Sequence, residues 1–116
     1  SIHIGSGVML GPNCALYSYN HGIEPGECIR NQPLTSKGGI EIGDEAWLGV
    51  GVTVLSGVRI GNGAVIGAGS VVMGNIPDNA VAVGNPAKVR KMRCGSEGIL
   101  ELIKKETQIH QVRKNE

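Results

Sequence analysis

Aliphatic residues return at every sixth position of the chain. From Ile4 the series runs through Leu10 and Leu16, resumes at Ile42, and continues through Leu48, Val54, Ile60, Ile66 and Val72. Ile, Leu and Val fill 31 of the 116 positions. Nine of nine at one phase therefore has a chance probability on the order of 10⁻⁵, which marks a true repeat. Four places after each aliphatic comes a second, smaller set: Val8, Cys14, Asn20, Ala46, Val52, Val58, Ala64, Ser70 and Ile76. Gly follows the aliphatic in six of the nine hexads (Gly5, Gly11, Gly43, Gly49, Gly61 and Gly67), as a chain that turns once per hexad requires.

A helical period of 3.6 cannot hold this pattern. A parallel β-helix can, because short strands alternate with turns and each coil stacks about 4.8 Å above the one before it. The expected fold is therefore all-β, a parallel β-helix of hexapeptide repeats. The phase breaks once, between Leu16 and Ile42, where the spacing exceeds a whole number of hexads by two. Re-entry at Ser36 makes residues 22–35, GIEPGECIRNQPLT, an inserted loop, and loops this long on rigid scaffolds commonly carry binding function. The repeat fades after Val83. Beyond it, Ile99, Leu102, Ile103, Ile109 and Val112 follow a helical spacing, so residues 1–93 read as the β-helix domain and 94–116 as a C-terminal helical extension, a natural cap for an open solenoid end.

Composition agrees with this picture. Aromatics make up 3% of the chain, Phe is absent and Gly numbers 19, which excludes a core built on large rings. The formal net charge of +1 argues against nucleic-acid binding by bulk electrostatics. The charge is uneven, however, with Lys88, Arg90, Lys91 and Arg93 forming the one dense basic cluster and hence the candidate anion site. Three Cys without a C-x-x-C spacing suggest neither a disulfide framework nor a zinc knuckle, and a reducing cytoplasm is the expected compartment. Neither a membrane-length apolar run nor a signal-like start is present, so membrane insertion is not expected. The chain starts with Ser1, and Ile2 fits the end of a hexad, which reads as a processed or truncated product beginning mid-coil.

The run IEIGDEAWLGVGVTVLSGVRIGNGAVIGAGSVVMGNIPDNAVAVGNPAKVRKMR resembles the hexapeptide-repeat acyltransferases. With SYNH and the inserted loop, it is similar to their sugar O-acetyltransferase branch, which includes maltose, galactoside and surface-polysaccharide acetyltransferases. The resemblance covers about residues 2–93 and implies a left-handed β-helix with three hexads per coil, a homotrimer with active sites between subunits, and acetyl-CoA as co-substrate. Three hexads per coil would place positions 18 residues apart in register, so that His3, His21, Thr53 and Val71 stack along one corner once the loop is subtracted. Two departures from relatives are visible: Met73-Gly74 where Thr-Lys often follows the IGAGS strand, and Val50 where some relatives have Ser.

Acyl transfer from a thioester to a hydroxyl needs a base near that hydroxyl, stabilisation of the developing oxyanion and a channel for coenzyme A. An imidazole titrates near neutrality and suits the first role, and the resemblance assigns it to His21. Asn20, at an inward hexad position, is expected either to organise the corner by a hydrogen bond or to touch the acceptor. Trp47, the one Trp, and Tyr19 are candidate pocket walls; packing beneath the loop is the plainer role for Trp47. Small residues at Gly67 and Ala68 permit close approach of the pantetheine arm, and the resemblance implies a backbone contact at Ala68. Lys88 and Lys91 match the basic positions of the family's terminal motif and are expected to meet the phosphates. No metal is expected, since His3, His21 and His110 lack the spacing of a zinc site. A small-molecule or saccharide acceptor is the expected partner; a non-catalytic scaffold or truncated remnant of the same fold is the competing reading.

Overall fold

A computed structural model describes residues 1–93 of the chain. Each hexad supplies one short strand and one turn. The first coil contains β1 (Ile2–Ile4), β2 (Met9–Leu10) and β3 (Ala15–Leu16). After an excursion carrying β4 (Asn20–His21) and β5 (Leu34–Thr35), the second coil contains β6 (Ile40–Ile42), β7 (Trp47–Leu48) and β8 (Thr53–Val54). The third contains β9 (Arg59–Ile60), β10 (Val65–Ile66) and β11 (Val71–Val72). Stacking the coils yields three parallel sheets, ordered β1-β6-β9, β2-β7-β10 and β3-β8-β11, the faces of a left-handed parallel β-helix. A closing hairpin, β12 (Ala80–Gly84) and β13 (Ala87–Met92), extends the second sheet: β12 pairs parallel to β10, and β13 pairs antiparallel to β12.

The two hexad positions point inward as their chemistry requires. Ile42, Leu48, Val54, Ile60, Ile66 and Val72 are buried, as are the smaller Ala46, Val52, Val58, Ala64, Ser70 and Ile76. In the first coil, Ile4 and Leu10 stay exposed because a coil packs on only one side of them. Cys14 is half-buried there, with its Sγ donating to the Gly49 carbonyl at 3.2 Å, which agrees with a packing role. One corner is stitched by side chains: Asp44 Oδ1, Asn62 Oδ1 and Asp78 Oδ1 accept from the backbone N–H of Ser6, Asp44 and Asn62, each at 2.8 Å. These short polar residues satisfy amides that the turn would otherwise leave unpaired.

The strand register corrects the expected alignment of the corner. Partners lie 38 residues apart between the first and second coils but 18 apart between the second and third, so the excursion inserts twenty residues where the periodicity suggested fourteen. Thr53 stacks between Ala15 and Val71, and His3 stacks under Glu41 and Arg59, while His21 joins neither column. The reason is arithmetic: fourteen and twenty differ by one hexad and leave the hydrophobic phase identical. The hexad containing His21 belongs to the excursion rather than to a coil. The expected C-terminal helix lies outside the described residues.

Candidate active site

His21 is positioned by a strand pair outside the three faces. β4 and β5 run antiparallel, with Asn20 opposite Thr35 and His21 opposite Leu34, and the Thr35 hydroxyl donates to the Asn20 carbonyl at 3.4 Å. The Asn20 side-chain amide donates to the buried Ser56 hydroxyl at 2.9 Å, tying this pair to the second coil. Of the two roles open to Asn20, organising the corner is the one with a partner in the structure. Its neighbour His21 is exposed, as are Tyr19 and most of the loop that follows.

The remaining candidates gather on another part of the prism. Trp47 is 49% exposed and stands on the second face in one row with Met9, Val65, Val81 and, on the last strand, Lys91. Gly67 lies at the edge of that face, where a Cβ would come within 2.7 Å of Val83 Cγ2. Val83 in turn pairs with Lys88, so Gly67 and Lys88 flank the same Val, and Ala68 is exposed beside them. The small side chain at Gly67 is thus required by hairpin packing as well as by access. Lys88 and Lys91 are both exposed, on a strand that charge counting could place only as a basic tail.

Among the described residues these two groups stand at different corners of the prism. His21 leaves the corner after β3, whereas Gly67 and Ala68 occupy the corner before β11, at opposite ends of the third face. Five or six residues separate such corners, roughly 15–20 Å of extended chain. Shallow clefts of about 300 and 360 Å³ lie on the first face, lined by His3, Glu41, Arg59, Asn75 and Asp78 among others, and neither includes His21. Among the described residues, no three of His, Cys, Asp and Glu are grouped to hold a metal ion, and no helix is long and apolar enough to cross a membrane.

One residue of the loop after His21 is buried without any mark in the sequence. Gln32 is 7% exposed in a loop whose other side chains are exposed, and it bonds to the backbone at Glu24 and Glu27. A polar residue in a Pro- and Gly-rich stretch carries no signal of burial, which only the folded loop creates.

The sequence pattern of the bacterial transferase hexapeptide (six repeats) family matches residues 39–74. A Dictyostelium discoideum protein named as a candidate acetyltransferase is 54% identical over 90 residues, covering 78% of this chain and 46% of its own length. The galactoside O-acetyltransferase of Lactococcus lactis is 46% identical over 90 residues, covering 78% of this chain and 42% of its own. The solved structure of a galactoside acetyltransferase in complex with coenzyme A superposes with a TM-score of 0.73 at 38% identity, covering 79% of this chain and 45% of that one. Residues 39–74 thus carry the hexapeptide repeats of the bacterial transferase family, and the chain is similar to acetyltransferases built on them. The relatives it resembles include galactoside and maltose O-acetyltransferases. The chain spans less than half the length of the curated relatives it matches.

Proposed function

We propose that the chain carries the repeat domain of an acetyl-CoA-dependent O-acetyltransferase acting on a hydroxyl of a sugar or surface-polysaccharide precursor. The observation that carries this reading is His21 itself: an exposed imidazole on a short strand that is hydrogen-bonded to the prism through Asn20, in a chain similar to sugar acetyltransferases. In the proposed reaction the acceptor hydroxyl gives its proton to His21 as its oxygen attacks the thioester carbonyl. The tetrahedral intermediate then collapses, the C–S bond breaks, and the departing thiolate takes the proton from the imidazolium. There is no acyl-enzyme in this scheme, so initial-rate lines should intersect; parallel lines would contradict it.

Acetyl-CoA fits the residues available to it. Lys88 and Lys91 are exposed and offer ammonium groups to phosphates, and the exposed, small Ala68 suits close approach of an extended amide-bearing arm. Trp47 and Tyr19, both exposed, are suited to stack on a sugar face. Because the His21 corner and the Gly67–Ala68 corner stand apart in one chain, the complete site is proposed to form between subunits of a homotrimer, each supplying one corner to its neighbour. The expected compartment is a reducing cytoplasm, on the ground that the three Cys show no disulfide spacing.

Calorimetry with acetyl-CoA, paired with thioester cleavage across a panel of sugars, tests the reading. Saturable binding with acceptor-dependent cleavage supports it. Absence of binding leaves the non-catalytic scaffold.

A further inference from the structure

The loop between β4 and β5 has no apolar interior. Between Asn20 and Ile40 the one buried side chain is Gln32. Its Oε1 accepts from the Glu24 backbone N–H at 2.9 Å, while its Nε2 donates to the Glu24 carbonyl at 2.9 Å and to the Glu27 carbonyl at 3.0 Å. The side-chain amide thereby acts as a strand peptide would, exchanging two bonds with one residue of the opposite arm. A third bond gathers the loop tip. On the near side Gln32 presses on the backbone next to His21: a Cβ at Gly22 would lie 2.7 Å from Gln32 Oε1 and 3.1 Å from Gln32 Cβ. The Gly22 N–H donates to the carbonyl of Pro33, the residue after Gln32, at 3.2 Å.

We propose that Gln32 is a positioning residue for His21, holding the arm that leaves the imidazole so that the base keeps one orientation; this rests on the reading of His21 as the base. No bond from Gln32 reaches His21. The influence passes through Gly22, whose conformation follows His21 directly and whose N–H and Cα face are both set by Gln32 and Pro33. Without the amide, Glu24 and Glu27 lose their partners, the two arms separate, and Gly22 loses the contact that fixes its backbone. Hydrogen bonds close this loop because its aliphatics, Ile23, Ile29 and Leu34, are exposed and bury no core of their own.

The test compares the full chain with Gln32→Leu, and Gly22→Ala serves as a second variant that displaces the Gln32 amide while leaving it present. Amide hydrogen exchange is read at Gly22 and at the core amides of Gly43 and Gly61, which the coils protect. The expected result is exchange at Gly22 at least ten times faster in both variants, with the core amides unchanged. In turnover, kcat should fall about 100-fold with acetyl-CoA affinity within twofold, a loss typical of a misplaced catalytic group. Gln32→Leu should cause no further loss in a His21→Ala background. Unchanged exchange at Gly22 overturns the proposal, as does an equal loss of rate with and without His21, or faster exchange throughout the core. Wild-type turnover by His21→Ala would instead overturn the base assignment, an outcome distinct from any result at Gly22.

Discussion

Ser56 holds both ends of the excursion. Its hydroxyl accepts from the Asn20 amide at 2.9 Å and from the Lys37 backbone N–H at 3.4 Å, so the outgoing and returning arms meet at one buried atom of the second coil. Ser56→Ala leaves the Asn20 amide without its acceptor, at a cost of about 1–3 kcal/mol in unfolding free energy. Urea unfolding should register that loss, and turnover should fall while acetyl-CoA affinity is retained. An unchanged midpoint and rate would mean that the Asn20–Ser56 bond does not anchor the His21 strand.

The inward columns make a second prediction. Ile60 is fully buried between Ile42 and Ile76, with coils packed on both sides. Truncation to Ala opens a cavity that neighbouring hexads cannot collapse into, and should cost about 2–5 kcal/mol. The same truncation at Ile4, which is 48% exposed, should cost much less. Equal losses at the two positions would contradict a core defined by stacking.

Two glycines should respond in opposite ways. A Cβ on Gly61 would lie 2.7 Å from Asp78 Cα and would collide with the Asp78 amide and carboxylate, the last rung of the stitched corner. Gly61→Ala should therefore destabilise by more than about 1 kcal/mol. At Gly74 nothing stands within 4 Å of a new Cβ and the backbone φ is ordinary, so Gly74→Ala should be neutral or stabilising by up to about 1 kcal/mol. Thermal melts of the two variants check both signs.

The basic strand is expected to recognise charge rather than shape. Lys88, next to the Gly67 edge through Val83, should contribute more to acetyl-CoA affinity than Lys91, which sits further along the strand opposite Val81. Lys88→Ala should weaken binding about tenfold, with the difference from wild type shrinking as salt is raised. Titrations at low and high salt separate this from a packing effect, which salt would leave unchanged.

The inward positions could be read directly from the six-residue phase, because a side chain that repeats its direction every hexad must be either a core residue or a corner residue. Ile42 through Val72 and Ala46 through Ile76 follow that rule without exception. The number of residues inserted could not be read the same way, since shifting a whole hexad between coil and loop changes no side chain's phase. His21 was thus recognisable as a residue but not as a place. Asn20 was legible because a polar residue at a nominally inward position needs a partner, whereas the partner, Ser56, lies 36 residues away. The antiparallel return of β13 along β12 escaped notice because its alternation, Lys88 to Arg93, is masked by charge on both faces. Gln32 was invisible for the reason that makes it useful: its burial exists only after the loop has closed around it.

The account stands most directly on acetyl transfer from acetyl-CoA to a sugar hydroxyl, measured for the wild-type chain and for His21→Ala alongside acetyl-CoA binding to each. It predicts equal binding by both and a rate lowered by about 10²–10⁴-fold in the variant, the range lost with a general base. A variant that binds acetyl-CoA and transfers at the wild-type rate would contradict it.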